Sequence, residues 1–143
     1  VHVVGQQFRK QPPVFAQMYP RLQQHIGEWG MVESEQDYRM LLQRSHVVLT
    51  TALHEFQGLA MLEAMACGCP VVSTDCPSGP RELLNGGKLA PLVPMGDITA
   101  LSEAILSTLS NPPEAAALVN AVKDYHQDVS AKGYLDALGL TTG

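Results

Sequence analysis

Short, β-branched apolar runs alternate along this chain with longer segments of helical period, and that alternation predicts an α/β fold. Val1-His2-Val3-Val4 reads as a strand closed by Gly5, the start of a βα unit. Pro12 and Pro13 suit a helix start. Val14, Phe15, Met18, Leu22 and Ile26 follow at roughly helical spacing, interrupted by Pro20. Residues 26–32 read as a short strand with Trp29 partly buried. Ser34, with Glu35 and Asp37 behind it, has the character of an N-cap and opens a helix to about Arg44, with Tyr38, Leu41 and Leu42 as its core face.

The second half repeats the alternation. His46-Val47-Val48-Leu49-Thr50 reads as a buried strand of a parallel sheet. Residues 59–67 are almost wholly good helix formers, and residues 69–74 read as another buried strand. Pro80 suits the first position of a short helix through Leu84, closed by Asn85-Gly86-Gly87. Residues 89–93 read as the last, edge strand, where Pro91 is tolerated because an edge residue need not donate to the ladder. Asp97 reads as the N-cap of an amphipathic helix carrying Ile98, Leu101, Ile105 and Leu109. Asn111-Pro112-Pro113 breaks the chain before further helices over 114–125 and 130–138. The order predicts a doubly wound parallel sheet with ligands outside the carboxyl ends of its strands.

One stretch stands apart, Glu55-Phe56-Gln57-Gly58-Leu59-Ala60-Met61-Leu62-Glu63-Ala64-Met65-Ala66-Cys67-Gly68. A strand ending in a Gly-containing loop that opens a helix presents free backbone N–H groups, here those of Gly58, Leu59 and Ala60, to an anionic ligand. At helical spacing Leu59, Leu62 and Ala66 share one stripe, and Ala60, Glu63 and Cys67 a second of small residues. A helix apolar nearly all round is expected to be buried, and a carboxylate within it needs a partner. Either Glu63 reaches solvent or protein donors, or the small neighbours leave room for a ligand.

The 143 residues fit one domain with a real core, and 45% hydrophobic with 16% charged residues is a globular composition. A net charge of -5 argues against a domain built to grip nucleic acid or an anionic membrane. The opening residues show no signal peptide, no apolar run is long enough to span a bilayer, and the missing initial Met predicts a piece of a longer chain. Cys67, Cys69 and Cys76 are odd in number and cluster at one turn, which predicts buried thiols in a reducing, cytoplasmic setting rather than a disulfide framework. With no nearby His or fourth Cys to complete a tetrahedral set, no metal is expected.

Glu55 and Glu63, seven residues apart around the Gly58 turn and followed by Cys67-Gly68-Cys69-Pro70-Val71-Val72, resemble the E-x7-E signature of GT-B glycosyltransferases of family four. The resemblance implies a Rossmann-like C-terminal, donor-binding domain spanning residues 1–143, without the family's first strand and N-terminal acceptor domain. The family's Arg and Lys for the donor diphosphate lie upstream of Val1. Arg9 and Lys10 do not match their spacing and read as a solvated loop. Within the family, Val3-Val4-Gly5-Gln6-Gln7-Phe8, Trp29-Gly30-Met31-Val32-Glu33-Ser34, Tyr38 and Thr50-Thr51-Ala52-Leu53-His54-Glu55-Phe56 look like the tRNA-queuosine mannosyltransferases, which use GDP-mannose. Residues 71–82, ending Cys76-Pro77-Ser78-Gly79-Pro80-Arg81-Glu82, look instead like bacterial enzymes that build surface glycans.

The resemblance implies retaining transfer of a hexosyl group, mannosyl among the candidates, from a GDP- or UDP-sugar to a glycan, lipid or tRNA acceptor held by the missing domain. It assigns Glu55 to the transferred sugar as the catalytic carboxylate, Glu63 to the ribose hydroxyls, Phe56 to the sugar pocket, and Met31 and Val32 to the nucleotide base. An ordinary strand-to-helix turn explains those last two as well. The N–H groups of Gly58, Leu59 and Ala60 meet the diphosphate, Gln57 is a further donor-binding residue, and the helix dipole, about half a unit charge, together with basic residues does the electrostatic work without a metal or other cofactor. His54 positions sugar hydroxyls or moves a proton, the former preferred because neighbours at a strand end point to opposite faces. The alternative function is a nucleotide-binding or regulatory module without catalysis. A dehydrogenase is disfavoured because no G-x-G-x-x-G follows the first strand.

Overall fold

The computed structural model describes residues 2–4, 27–29, 32 and 34–140, and the chain forms two compact units, residues 1–41 and 42–143. In the first unit β1 (His2–Val4) pairs in parallel with β2 (Gly27–Trp29), register His2 to Gly27. The two strands expected at 1–5 and 26–32 are thus present in shorter form. The helix expected after Pro12, Arg9 and Lys10, Met31 and the side chain of Trp29 lie outside the described residues. Helix α1 (Glu35–Arg44) starts where its cap predicts: the Ser34 hydroxyl accepts the Asp37 N–H at 3.2 Å, and the Ser34 carbonyl accepts that of Tyr38 at 3.0 Å.

The second unit is built on a three-stranded parallel sheet in the order β3 (Val48–Thr50), β4 (Val71–Thr74), β5 (Leu92–Val93). Central β4 is buried throughout, Val71, Val72 and Ser73 completely. That is why Val-Val-Ser-Thr reads as a continuous run without polar alternation. The edge strand expected over 89–93 is shorter, and Pro91 lies just ahead of it; its carbonyl accepts the Ser73 N–H at 3.1 Å, and the Val93 carbonyl accepts that of Asp75 at 2.7 Å. On this sheet lie α2 (Leu59–Ala66) and α4 (Ile98–Ser110), and the short helix α3 (Gly79–Leu83) follows β4. Helix α5 (Ala115–Ala121) packs on α2. A 3₁₀ turn, Lys123–Tyr125, leads into α6 (Gln127–Ala137), which buries no side chain among the described residues. The core is Met61, Ala64, Met65, Val71, Val72, Leu84 and Leu118. No helix among the described residues is long and apolar enough to cross a membrane.

Four expectations need correction. Strand β3 is only half-buried: Leu49 is 39% exposed while Val48 and Thr50 are half-buried, and among the described residues the strand pairs with β4 alone. Helix α2 is not covered all round. It buries Met61, Ala64 and Met65 and turns Leu59, Ala60, Glu63 and Ala66 outward, so the apolar surplus lies on an open face. The inward face of α4 is Leu101, Ala104, Ile105 and Thr108, while Ile98 and Leu109 are exposed. A helix of that length runs about 20 Å and the strands beneath it only about 13 Å, so its ends overhang. The helix expected over 114–125 ends at Ala121 and tightens into the 3₁₀ turn, and the next begins earlier, at Gln127.

Candidate functional site at the amino end of helix α2

The site is assembled where the chain leaves β3. The buried Thr74 hydroxyl, at the carboxyl end of β4, donates to the Ala52 carbonyl at 2.7 Å and ties the outgoing loop to the central strand. Further on, Glu55 and Ser78 form an isolated parallel bridge, so the loops that follow β3 and β4 run side by side beyond the sheet. Gly79 then lies so close to the Phe56–Gln57 peptide that a Cβ on it would stand 2.9 Å from the Phe56 carbonyl oxygen and 3.1 Å from the Gln57 nitrogen.

Gly58 caps α2 at φ 71°, ψ 41°, a left-handed conformation that favours glycine. Its carbonyl accepts the N–H groups of Met61 and Leu62 at 2.9 and 3.0 Å. The Gly58 N–H itself is taken: it donates to Glu55 Oε1 at 3.1 Å. This corrects the expectation of three free donors. The N–H groups of Leu59 and Ala60, first-turn groups without intrahelical acceptors, have no acceptor among the described residues. The arrangement presents two open amides at the positive end of a helix, with a half-buried carboxylate bound beside them through one of its two oxygens.

The side chains expected to face a ligand are displayed openly. Phe56 is 89% exposed, and His54, Gln57, Leu59 and Ala60 are exposed as well. Glu63 shares the outward face of α2 with Leu59 and Ala60, one turn from the open amides. It therefore sits in water and not in the apolar surround that was to demand a partner. Val32 is half-buried and belongs to the first unit. The structure thus gathers Glu55, Gly58, Leu59, Ala60 and Glu63 on one helix end, and Met31 lies outside the described residues.

Sequence reasoning missed Thr74, Ser78 and Gly79, reading the latter two only as turn residues. A Gly directly ahead of a helix-starting Pro was the available signal, since a turn alone does not require both. Arg81, one turn into α3, was also unforeseen. Its guanidinium holds the Asp75 carboxylate through both oxygens, Nε at 3.1 Å from Oδ1 and Nη2 against Oδ2. Cys67, Cys69 and Cys76 are free thiols. Burial, and secondarily the neighbouring Cys67, pushes the Cys69 thiol above its ordinary value, and its Sγ lies 3.3 Å from the Ser45 carbonyl as a donor.

Known proteins share both fold and sequence with this chain. It superposes on Anabaena HepE in complex with UDP with a TM-score of 0.76 at 22% identity, over 98% of this chain and 40% of that one. A lipopolysaccharide outer core galactosyltransferase, WaaB, gives 0.73 at 20% identity over 96% and 39%. The architecture is that of the C-terminal portion of a GT-B glycosyltransferase. The family of glycosyl transferases group 1 matches residues 1–111, and the chain belongs to it. Among curated relatives, a tRNA-queuosine alpha-mannosyltransferase from Drosophila melanogaster is 36% identical over 69 residues, 48% of this chain and 18% of that protein. A phosphatidyl-myo-inositol mannosyltransferase from Mycobacterium leprae is 38% identical over 78 residues, 52% of this chain and 21% of that protein. The chain thus spans about a fifth of the length of these two relatives.

Proposed function

We propose that this chain is the nucleotide-sugar-binding domain of a longer glycosyltransferase that moves a hexosyl group, with retention of configuration, to an acceptor held by another domain. The observation that carries the reading is the bond from the Gly58 N–H to Glu55, which fixes one carboxylate oxygen beside the open amides of Leu59 and Ala60. As the bond between sugar and nucleoside diphosphate breaks, negative charge grows on the phosphate and positive charge at the anomeric carbon. The Leu59 and Ala60 amides and the helix dipole meet the first, and the free oxygen of Glu55 faces the sugar. Glu63 accepts the ribose hydroxyls, Phe56 closes over the sugar, and His54 positions its hydroxyls. This scheme uses no metal. The free thiols support a cytoplasmic setting.

Mannose is the sugar we favour, because two relatives that share this segment are mannosyltransferases. The HepE structure contains UDP, so uridine and guanosine donors both belong in the test. Titration calorimetry of the full-length protein with GDP-mannose, UDP-glucose and UDP-N-acetylglucosamine is expected to show saturable binding of one donor, with GDP-mannose the first choice. Binding of none would sink the donor-site reading.

A second reading, a nucleotide-binding module without chemistry, draws on the same bond, since a carboxylate that holds the turn ahead of a helix already has a structural task. Glu55→Gln separates the two. It keeps the acceptor for Gly58 and removes the charge, so unchanged transfer in this variant favours the module.

A further inference from the structure

We infer that Ser78 and Gly79 are positioning residues for Glu55, forming the seat on which the Glu55-Phe56-Gln57 loop rests. The inference depends on the donor-site reading above and adds to it two residues from a different loop. Three observations converge. Ser78 is bridged to Glu55 in parallel register, outside any regular strand. Gly79 is buried against the Phe56–Gln57 backbone with no space for a Cβ, the nearest contacts being backbone atoms that cannot swing aside. Ser78 holds φ 76°, ψ -139°, a region that residues with side chains rarely adopt, although its side chain is exposed and makes no cap hydrogen bond. Strain of this kind persists only where the surroundings impose it. What imposes it here is the passage from β4 into α3, where Pro80 and Leu83 are buried, Arg81 clasps Asp75, and Gly79 must lie flat on the Glu55 loop.

The consequence concerns the sugar rather than the nucleotide. The Leu59 and Ala60 amides and Glu63 belong to α2, whose position is set by Met61, Ala64 and Met65 in the core. Glu55 and Phe56 lie ahead of the helix, and their far side is supported by the seat. A shift of the seat therefore moves the groups assigned to the sugar and leaves those assigned to the nucleotide in place. An error of about 1 Å in such positioning costs a rate factor of roughly a hundred.

The test uses the full-length protein, with UDP and GDP as probes alongside their sugar conjugates. Gly79→Ala and Ser78→Val are expected to lower kcat about ten- to a hundredfold. The dissociation constant of the free nucleoside diphosphate should stay within about threefold, and the extra affinity that the sugar confers should be lost. Ser78→Gly, which adopts the same backbone without strain, is expected to keep kcat within about twofold. Should Gly79→Ala fail to fold, Ser78→Val carries the comparison, because that side chain points to solvent. Parental kcat in both variants would overturn the inference, as would an equal loss of nucleoside diphosphate binding. A parent protein that binds neither UDP nor GDP overturns the donor-site reading itself, a failure visible before any variant is made.

Discussion

The carboxylate of Glu55 accepts the backbone N–H of Gly58 at 3.1 Å, so an acidic residue placed at the mouth of the site also holds the turn that opens its helix. One oxygen holds the turn, and in the proposed reaction the other faces the sugar. Substitution separates the two tasks. Glu55→Gln keeps an acceptor for Gly58, so unfolding free energy should change by no more than about 1 kcal/mol while kcat falls about a hundredfold. Glu55→Ala should lose the same activity and about a further 1 kcal/mol of stability through the lost turn hydrogen bond. Denaturant titration and turnover on the same preparations check both; equal stability of the two variants would remove the turn-holding role.

Gly58→Ala tests the left-handed turn. A Cβ there meets the end of the buried Met61 side chain, and φ 71° is already unfavourable for alanine. The expected loss is about 2 kcal/mol, read as a lower urea midpoint at unchanged slope. A neutral outcome would mean that the turn has another conformation.

Glu63 is exposed and no hydrogen bond to its side chain is found among the described residues, so Glu63→Ala should leave stability within about 0.5 kcal/mol. Affinity for the nucleoside diphosphate should nevertheless fall about tenfold or more, since a carboxylate facing two hydroxyls makes charge-assisted bonds. Calorimetry showing unchanged affinity would free Glu63 from the ribose.

The buried Cys69 thiol titrates above its ordinary value of 9.0, chiefly through burial. A thiol whose pKa is raised on folding contributes stability that is fully present below the unfolded value and is lost as pH rises through the folded one. Unfolding midpoints should therefore be insensitive to this group at neutral pH and fall above pH 9, less so in Cys69→Ala. Iodoacetamide at pH 8 should modify the half-buried Cys67 well before Cys69 or Cys76. Equal rates at all three would show that the turn opens readily.

Met65 is fully buried and unbranched in the face of α2 that meets the core. Met65→Ala should cost about 2–5 kcal/mol. Because the open amides ride on this helix, nucleotide affinity should fall with stability; affinity kept intact would separate the helix amino end from the packing beneath it.

The alternation of strands and helices, the caps Ser34 and Asp97, the central burial of residues 71–74 and the glycine-opened helix with Glu55 and Glu63 at its entrance were all readable from residue order. Each depends on contacts within a few positions, or on the periods of 3.6 and 2 that geometry forces on helices and strands. What residue order left open is which side of α2 faces inward, because Leu59, Ala60, Met61, Leu62 and Ala66 are all acceptable to a core and only the strands beneath select Met61, Ala64 and Met65. The bridge from Glu55 to Ser78 and the close fit of Gly79 on the Phe56–Gln57 peptide likewise arise only when two loops from adjacent strands are laid side by side. Local sequence sets the helix and its opening turn, because those energies are short-ranged. Sheet pairing alone decides what lies against that turn, because it joins segments more than twenty residues apart.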